Sequence, residues 1–312
     1  MERINKIDIA KGIGISLVVY GHTFSPFSHV THLFQMPFFF MLSGYLYNQK
    51  DTIKDTLIKK AKSLLFPYFF FLFLTNLIFI ILYEILEKPY YLYPSMIIAP
   101  YGVGVALWTF IAVYVASAFF KIIDRSSEGI YKAIIVFVFF AIGLILCHYR
   151  IKIPLYVDSA CTIVIFYATG YWLKKYPKIE YLIYGGFIVT IAVYAALGYF
   201  PSVDIKYNIY SDPFCYFIST GISLLLIRIA GLFEKTSLTR KVFSYIGRMT
   251  IVILGFHILI FEFLYLILPR NNYISAIIVS ALSIICILLL NKYLQIDVFL
   301  NKIRKIQFKP IK

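Results

Sequence analysis

Three ionisable residues in the first apolar segment have a spacing that could support chemistry: Asp8, Lys11 and His22. At about 100° per residue, Lys11 and His22 differ by about 20° around a helix, and Asp8 falls within about 40° of His22. Asp8 and Lys11 can pair, whereas His22 lies about 16 Å from Lys11 along the axis. Because a histidine titrates near neutral pH, His22 is the candidate general base. The alternative is a snorkelling Lys11 and a His22 that only hydrogen-bonds in a loop.

The chain that carries these residues is strongly apolar. Of its 312 residues, 61% are hydrophobic and 14% are charged, against about 45–50% and about 25% in soluble domains. A water-soluble fold of this length could not bury so much apolar surface. The composition excludes a soluble enzyme, a disordered tail and a disulfide scaffold. It predicts an all-α, polytopic integral membrane bundle embedded in the lipid bilayer.

Apolar runs of bilayer-spanning length predict about ten transmembrane helices, at 7–27, 33–47, 65–86, 105–123, 131–148, 157–173, 181–200, 213–231, 249–268 and 273–292. The second run is short, and its Met36-Pro37 predicts a kinked or re-entrant segment. The stretch 88–104 is aromatic and rich in Pro and Gly, which fits a surface loop or a second re-entrant piece.

The net charge of +15 comes from short basic clusters between the apolar runs, which is typical of cytoplasmic loops and not of a nucleic-acid surface. Most Lys and Arg lie on the side of the two termini, so the N- and C-termini are predicted to be cytoplasmic. Neither a repeat nor a linker divides the sequence. Residues 1–312 are therefore predicted to form a single membrane domain, with a basic cytoplasmic tail over 293–312.

Other polar residues in the predicted spans are functional candidates, because an ionisable group in the membrane costs roughly 2.5–3.5 kcal/mol on insertion scales. Each has a structural alternative. Gly44 after Ser43 permits close helix packing, and Asp158 and Asp212 are better explained as helix caps. His257 and Glu262, five residues apart, do not share a helix face. His29 and His32 have no carboxylate nearby, so no metal site is predicted.

Several runs resemble, in order, the motifs of acyltransferase family 3, the membrane O-acyltransferases that modify cell-surface carbohydrates. The run 8–13 (DIAKGI), followed by His22, resembles the opening D-x-x-[RK]-G-I and R-x10-H patterns, with Lys11 in place of arginine. The run 36–45 (MPFFFMLSGY) resembles P-x-F-F-x-x-S-G-Y. Lys59 and Lys62, followed by Pro-Tyr at 67–68, resemble the basic R-x-x-R…P-Y stretch, again with lysines for arginines.

Weaker likenesses follow at Trp108, at Asp158 with 170–171, and at 245–247 with His257. Gln35 stands where the family often has a histidine. The similarity covers nearly the whole chain, is most specific over residues 8–68, and is closest to the fucose 4-O-acetylase-like subgroup.

The resemblance implies a bacterial inner-membrane O-acetyltransferase that moves an acetyl group from cytoplasmic acetyl-CoA to a hydroxyl of an extracytoplasmic, cell-surface or lipid-linked carbohydrate. His22 is the expected general base, and the other expected catalytic residues are Asp8, Lys11 and Ser43, the last as an oxyanion donor or a packing residue. The residues expected to hold the anionic nucleotide end of the donor are Lys11, Lys59 and Lys62.

The expected substrate contacts are His32, Gln35, Trp108, Asp158, His257 and Glu262, with the segment 88–104, Asn208 and Asp212 as further sugar contacts. No metal and no nucleic acid are expected. The alternative function is a transporter or flippase of surface glycan or lipid-linked sugar, since interior charges and broken spans suit transporters as well. The acyl group, the acceptor sugar and its hydroxyl position stay open.

Overall fold

The computed structural model describes residues 5–23, 27–85, 106–270 and 273–305. The helices in these ranges are α1 (Asn5–Gly21), α2 (Ser28–Tyr45), α3 (Ile53–Lys60), α4 (Phe66–Ile85), α5 (Trp108–Ser126), α6 (Gly129–His148), α7 (Val157–Lys175), α8 (Ile179–Leu197), α9 (Cys215–Phe233), α10 (Ser237–Arg248), α11 (Thr250–Leu264), α12 (Tyr273–Leu294) and α13 (Ile296–Lys305). A short antiparallel pair joins β1 (Val203–Asp204) to β2 (Ile209–Tyr210).

The fold is all-α with many apolar helices, as predicted, and each of the ten predicted apolar segments coincides with a helix. Five helical runs within the described ranges are long and apolar enough to cross a membrane, and the pair α10–α11, bent by 78°, makes a sixth candidate. The chain is therefore a multi-pass membrane protein. The number of ten spans stays a prediction.

The second apolar segment is not re-entrant, and the third is preceded by further helix. The second is the continuous helix α2, which begins five residues earlier than predicted and contains Pro37; it does not turn back as a re-entrant loop. The basic stretch before the third segment is helical as well. Thr52 and Asp55 cap α3 reciprocally, and α3 continues through a π-helical turn (Ala61–Leu65) into α4. This continuity fixes the rotation of α3 relative to the bundle.

Two helix crossings bring backbones into direct contact. The central helix α7 is buried on all sides from Asp158 to Tyr171 and crosses α2 at two glycines. A Cβ on Gly44 would overlap the Tyr167 carbonyl oxygen, and one on Gly170 would overlap the Met41 carbonyl oxygen. The α1–α10 crossing is equally close, since a Cβ on Gly247 would overlap the Asp8 carbonyl oxygen. Small residues permit such close approach in membrane bundles, so these contacts set the positions of α1 and α2.

Replacing Gly170 with alanine should therefore destabilise the protein. The added methyl group must push α7 away from α2, and overpacking of this kind typically costs about 1–3 kcal/mol. We expect a clearly lower midpoint of thermal unfolding in detergent. Gly185→Ala in α8 is the matched control, because nothing lies within 4 Å of a Cβ built there. Equal midpoints for the two variants would contradict the packing of α7 on α2.

A buried ion pair fixes the loop between α2 and α3. Lys132 contacts Asp124 at 2.6 Å, and the Tyr47 hydroxyl donates to the same carboxylate at 2.7 Å. Lys121, whose side chain is buried, donates to the Gln49 carbonyl oxygen at 3.1 Å. A buried charge without its partner is strongly destabilising, so these side chains hold the loop, and with it α3, in one position.

Candidate active site

The predicted base His22 lies in the wall of a small cavity of about 100 Å³, here called the histidine cavity. The polar and aromatic side chains that line it come from the end of α1, from α2, from the start of α5 and from the β1–β2 hairpin: His22, His32, Gln35, Trp108, Thr109, Asp204 and Lys206. Gly21 lets this end of α1 approach α2, because a Cβ there would meet the side chains of Thr31 and Gln35. The structure thus brings four of the predicted functional residues together.

The hydrogen bond of His22 determines which ring nitrogen can act as a base. Nδ1 lies 2.8 Å from the Val18 carbonyl oxygen. A carbonyl oxygen only accepts hydrogen bonds, so Nδ1 carries the proton and Nε2 of the neutral ring holds a lone pair. The same bond fixes the ring against the last turn of α1. His22 is thereby held in the tautomer that a general base requires.

Two further imidazoles flank His22. The ring of His257 lies 5.1 Å from that of His22, edge to face, and the ring of His32 lies 5.9 Å away. His257 is fully buried in α11, and its Nδ1 bonds to backbone carbonyl oxygens while its Nε2 has no partner among the described residues. The buried Gln35 Oε1 is also without a partner in this part of the chain. Buried polar atoms of this kind are rare in folded proteins and call for a role.

A second, larger cavity of about 390 Å³ lies toward the other end of α1. We name it the basic cavity after the four cationic side chains that line it beside a single carboxylate: Lys11, Lys60, Arg248, Arg304 and Asp8. Ser43 also lines it. The cations come from α1, α3, α10 and α13. Lys11 lies 3.9 Å from Asp8, and the Lys60 amine lies 5.5 Å from the centre of the Tyr167 ring. Four cations against one carboxylate make this cavity suited to an anionic ligand.

The two cavities share part of their walls. Met36 of α2 and Thr109 of α5 line both of them. Leu42, Phe39 and Phe110 continue the wall of the basic cavity as an apolar surface. A ligand with an anionic end and a long apolar arm would fit the basic cavity. Its anionic end would lie at the cations, its arm would lie along the apolar wall, and the tip of the arm would lie at Met36 and Thr109.

Several predicted site residues lie elsewhere. Lys59 pairs with Asp51 at 2.7 Å, and neither it nor Lys62 lines the basic cavity. Asp158 accepts from the Ile153 backbone N–H and lies 3.8 Å from Lys152, which supports its role in holding the start of α7.

Glu262 pairs with Arg270 at 2.9 Å, away from both cavities. Asn208 is buried and donates to the Gly143 carbonyl oxygen, and Asp212 caps the turn before α9 by accepting from Phe214 N–H. The segment 88–104 lies outside the described residues. Ser43 lies in the basic cavity, eight residues and therefore about 12 Å along α2 from Gln35, so it does not stand beside His22 as an oxyanion donor.

The cavities also contain residues that the sequence did not single out: Lys60, Arg248, Arg304, Asp204 and Lys206. Lys60 belongs to a predicted basic cluster, but only the helical register of α3 distinguishes it from Lys59. The four residues other than Lys60 reach the cavities through tertiary packing. Among the described residues, no group of three or more His, Cys, Asp or Glu side chains is arranged to hold a metal ion.

Comparison with known proteins places the chain in a family. No curated protein and no solved structure matches the chain. A sequence model of the acyltransferase domain of acyltransferase family 3 matches residues 4–292, which include α1 to α11 and both glycine crossings. Because this match covers most of the chain, the chain belongs to acyltransferase family 3. It is a membrane enzyme that transfers acyl groups.

Proposed function

We propose that the enzyme transfers an acetyl group from cytoplasmic acetyl-CoA to a hydroxyl of an extracytoplasmic, cell-surface or lipid-linked carbohydrate, with His22 as the general base. One observation carries this proposal: the basic cavity and the histidine cavity lie toward opposite ends of α1, and Met36 and Thr109 line both of them. A donor entering from one side of the membrane and an acceptor from the other would meet at this junction.

The basic cavity would hold the nucleotide end of the donor. Coenzyme A carries several phosphate charges, and Lys60, Arg248 and Arg304 can pair with them, the guanidinium groups in bidentate geometry. Lys11 extends this cation set toward the interior of the bundle. The apolar wall beyond it would accept the pantetheine arm, so that the thioester reaches Met36 and Thr109.

The acyl transfer follows from the tautomer of His22. The acceptor hydroxyl oxygen attacks the thioester carbonyl carbon while Nε2 takes the hydroxyl proton. The resulting tetrahedral species expels the coenzyme A thiolate, which takes the proton back from the imidazolium ring. The products are an O-acetyl ester and the free thiol. His22 ends the reaction neutral.

The remaining residues of the histidine cavity would orient the acceptor. The unpartnered Oε1 of Gln35 can accept a hydrogen bond from a sugar hydroxyl, and its amide can donate one. Trp108 presents an aromatic ring that packs against Phe40 and Tyr156, with ring centres 6.4 and 5.8 Å away. His257, which does not line the cavity, would act as a positioning residue that keeps the His22 ring in place.

The orientation in the membrane is part of the proposal. The basic side chains of α3, α10 and α13 lie on the side of the basic cavity, and the positive-inside tendency places such residues in the cytoplasm. Both termini would then be cytoplasmic, and the histidine cavity would face the outside of a bacterial inner membrane.

Inverted membrane vesicles test this function. Acetyl-labelled acetyl-CoA is supplied outside, where the cytoplasmic face is exposed, and the lumenal carbohydrate is recovered. We expect label on that carbohydrate as a base-labile ester, dependent on the protein. If label appeared only when donor and acceptor were on the same side of the membrane, the transmembrane route would be wrong. Movement of unlabelled glycan across the bilayer without any acetyl transfer would instead support the transporter alternative.

A further inference from the structure

Part of the wall of the histidine cavity is formed by a short hairpin, whose residues 203–206 line it. The hairpin consists of β1, a short 3-10 turn (Ile205–Tyr207) and β2. The side chains of Val203 and Ile205 within the hairpin are buried. A wall held in one position can contribute fixed groups to a site at little entropic cost.

Polar contacts fasten this hairpin to the bundle. The buried Asn208 donates to the Gly143 carbonyl oxygen at 3.0 Å and accepts from Thr162 at 3.2 Å. The Tyr210 hydroxyl also donates to Thr162, at 3.0 Å. Burial raises the pKa of Tyr210 well above its ordinary value, so the hydroxyl stays protonated as a donor. Lys152 donates to the Tyr207 carbonyl oxygen.

The hairpin brings two charged side chains into the cavity wall, Asp204 and Lys206. Asp204 is already engaged, since its carboxylate accepts from the Tyr207 backbone N–H at 3.4 Å. The Lys206 amine lies 5.0 Å from the centre of the Tyr207 ring, and no acidic side chain of the described residues forms an ion pair with it.

This half-buried ammonium group affects the chemistry at His22. Both residues line a cavity of only about 100 Å³, so the positive charge of Lys206 disfavours the imidazolium that forms when His22 takes a proton. An anionic group of the acceptor beside Lys206 would cancel this repulsion and at the same time pair with the ammonium. A neutral acceptor would leave it uncompensated.

We propose that Lys206 binds an anionic group of the acceptor, a carboxylate or a phosphate, and that the enzyme therefore acts on acidic carbohydrate. This inference rests on the proposed function and names its substrate class. The carboxylate would belong to a uronic acid within the glycan, and the phosphate to a sugar phosphate or to the linkage of a lipid-linked sugar. Asp204 would accept a hydrogen bond from a neighbouring sugar hydroxyl.

The test compares three soluble acceptors with purified protein in lipid nanodiscs and labelled acetyl-CoA. The acceptors are a neutral oligosaccharide, the same oligosaccharide with one uronic acid, and the same with one phosphate. Wild-type enzyme is expected to have a KM about tenfold lower for at least one acidic acceptor than for the neutral one. The acidic acceptor with the lower KM identifies the anionic group as a carboxylate or a phosphate.

Lys206→Gln should remove this preference by raising the KM for the acidic acceptor, and Lys206→Arg should retain it. Arg150→Asn is the control: it removes a cation from an exposed loop outside the cavity, and asparagine tolerates its positive φ of 54°. If Lys206→Gln does not fold, a higher salt concentration serves as the test on wild-type enzyme, with acetyl-CoA kept saturating for every acceptor. Screening should then raise KM only for the acidic acceptor.

Equal KM values for neutral and acidic acceptors in wild-type enzyme would overturn this inference while leaving acetyl transfer intact. An unchanged preference in Lys206→Gln would overturn it as well. Failure of every acceptor to receive label would count against the proposed function itself.

Discussion

Replacing His22 with alanine is expected to lower the rate of acyl transfer by about 10²–10⁴-fold, which is the usual contribution of a positioned general base. The change removes Nε2, the group proposed to take the hydroxyl proton, and leaves the basic cavity intact. The affinity for coenzyme A should therefore change little. Single-turnover acetyl transfer and equilibrium binding of coenzyme A, measured on the same preparation, separate the two effects.

The chain offers a matched control for this substitution. His148 is an exposed histidine at the end of α6, outside both cavities, and His148→Ala should retain wild-type activity. His22→Ala is not expected to unfold the protein, because the backbone of α1 is held by its packing on α2 and α10. Wild-type transfer by a folded His22→Ala protein would show that another group takes the proton.

Sequence periodicity was sufficient to predict the part of the site that lies on one helix. The spacing of Asp8, Lys11 and His22 places them on one face of α1, and the structure finds the first two in the basic cavity and His22 in the histidine cavity. A helix is a regular object, so distances along it follow from residue numbers alone. His32 and Gln35, one turn apart on α2, share a helix face for the same reason, whereas their position beside His22 follows from the packing of α1 on α2.

The contributions of other elements could not be predicted in this way. Lys59 and Lys60 are adjacent in sequence, and only the continuous path from α3 through the π-helical turn into α4 determines that Lys60 lines the cavity. Arg248 depends on the 78° bend between α10 and α11, and Arg304 on how α13 folds back against the bundle. Asp204 lies in β1, and both β1 and its partner β2 have only two residues. Strands this short cannot be recognised from an alternation of polar and apolar residues.

The buried ion pair of Asp124 and Lys132 was missed for a related reason. Both residues lie at the ends of apolar runs, where a charge is normally solvated, so the sequence gives them the pattern of loop residues. Their burial follows from the short connection between α5 and α6, which turns the two helix ends toward each other and toward Tyr47. The pattern of charges along the sequence indicates on which side of the membrane a loop lies, but it does not indicate which residue pairs with each charge.

Filling the junction of the two cavities should block transfer without removing any reactive group. Thr109→Phe places a ring where both cavities share a wall, so the thioester and the acceptor hydroxyl can no longer approach each other. We expect transfer to fall by at least about 10²-fold, since displacing reactants by about 1 Å can already cost that much. Binding of coenzyme A, which depends on the basic cavity, should persist. The transfer rate and the coenzyme A affinity are measured on one preparation.

Two controls separate a blocked passage from other effects. Thr109→Val keeps the volume of the side chain and removes only a hydroxyl whose hydrogen bond to the Ala106 carbonyl oxygen is long, at 3.3 Å, so near-normal transfer is expected. Ile122→Phe adds similar bulk at an exposed position of the same helix and should be silent. If Thr109→Phe impairs folding, Met36→Phe obstructs the junction from α2. Normal transfer by both folded, ring-bearing variants would mean that donor and acceptor meet elsewhere, and the two cavities would then have to serve separate ligands.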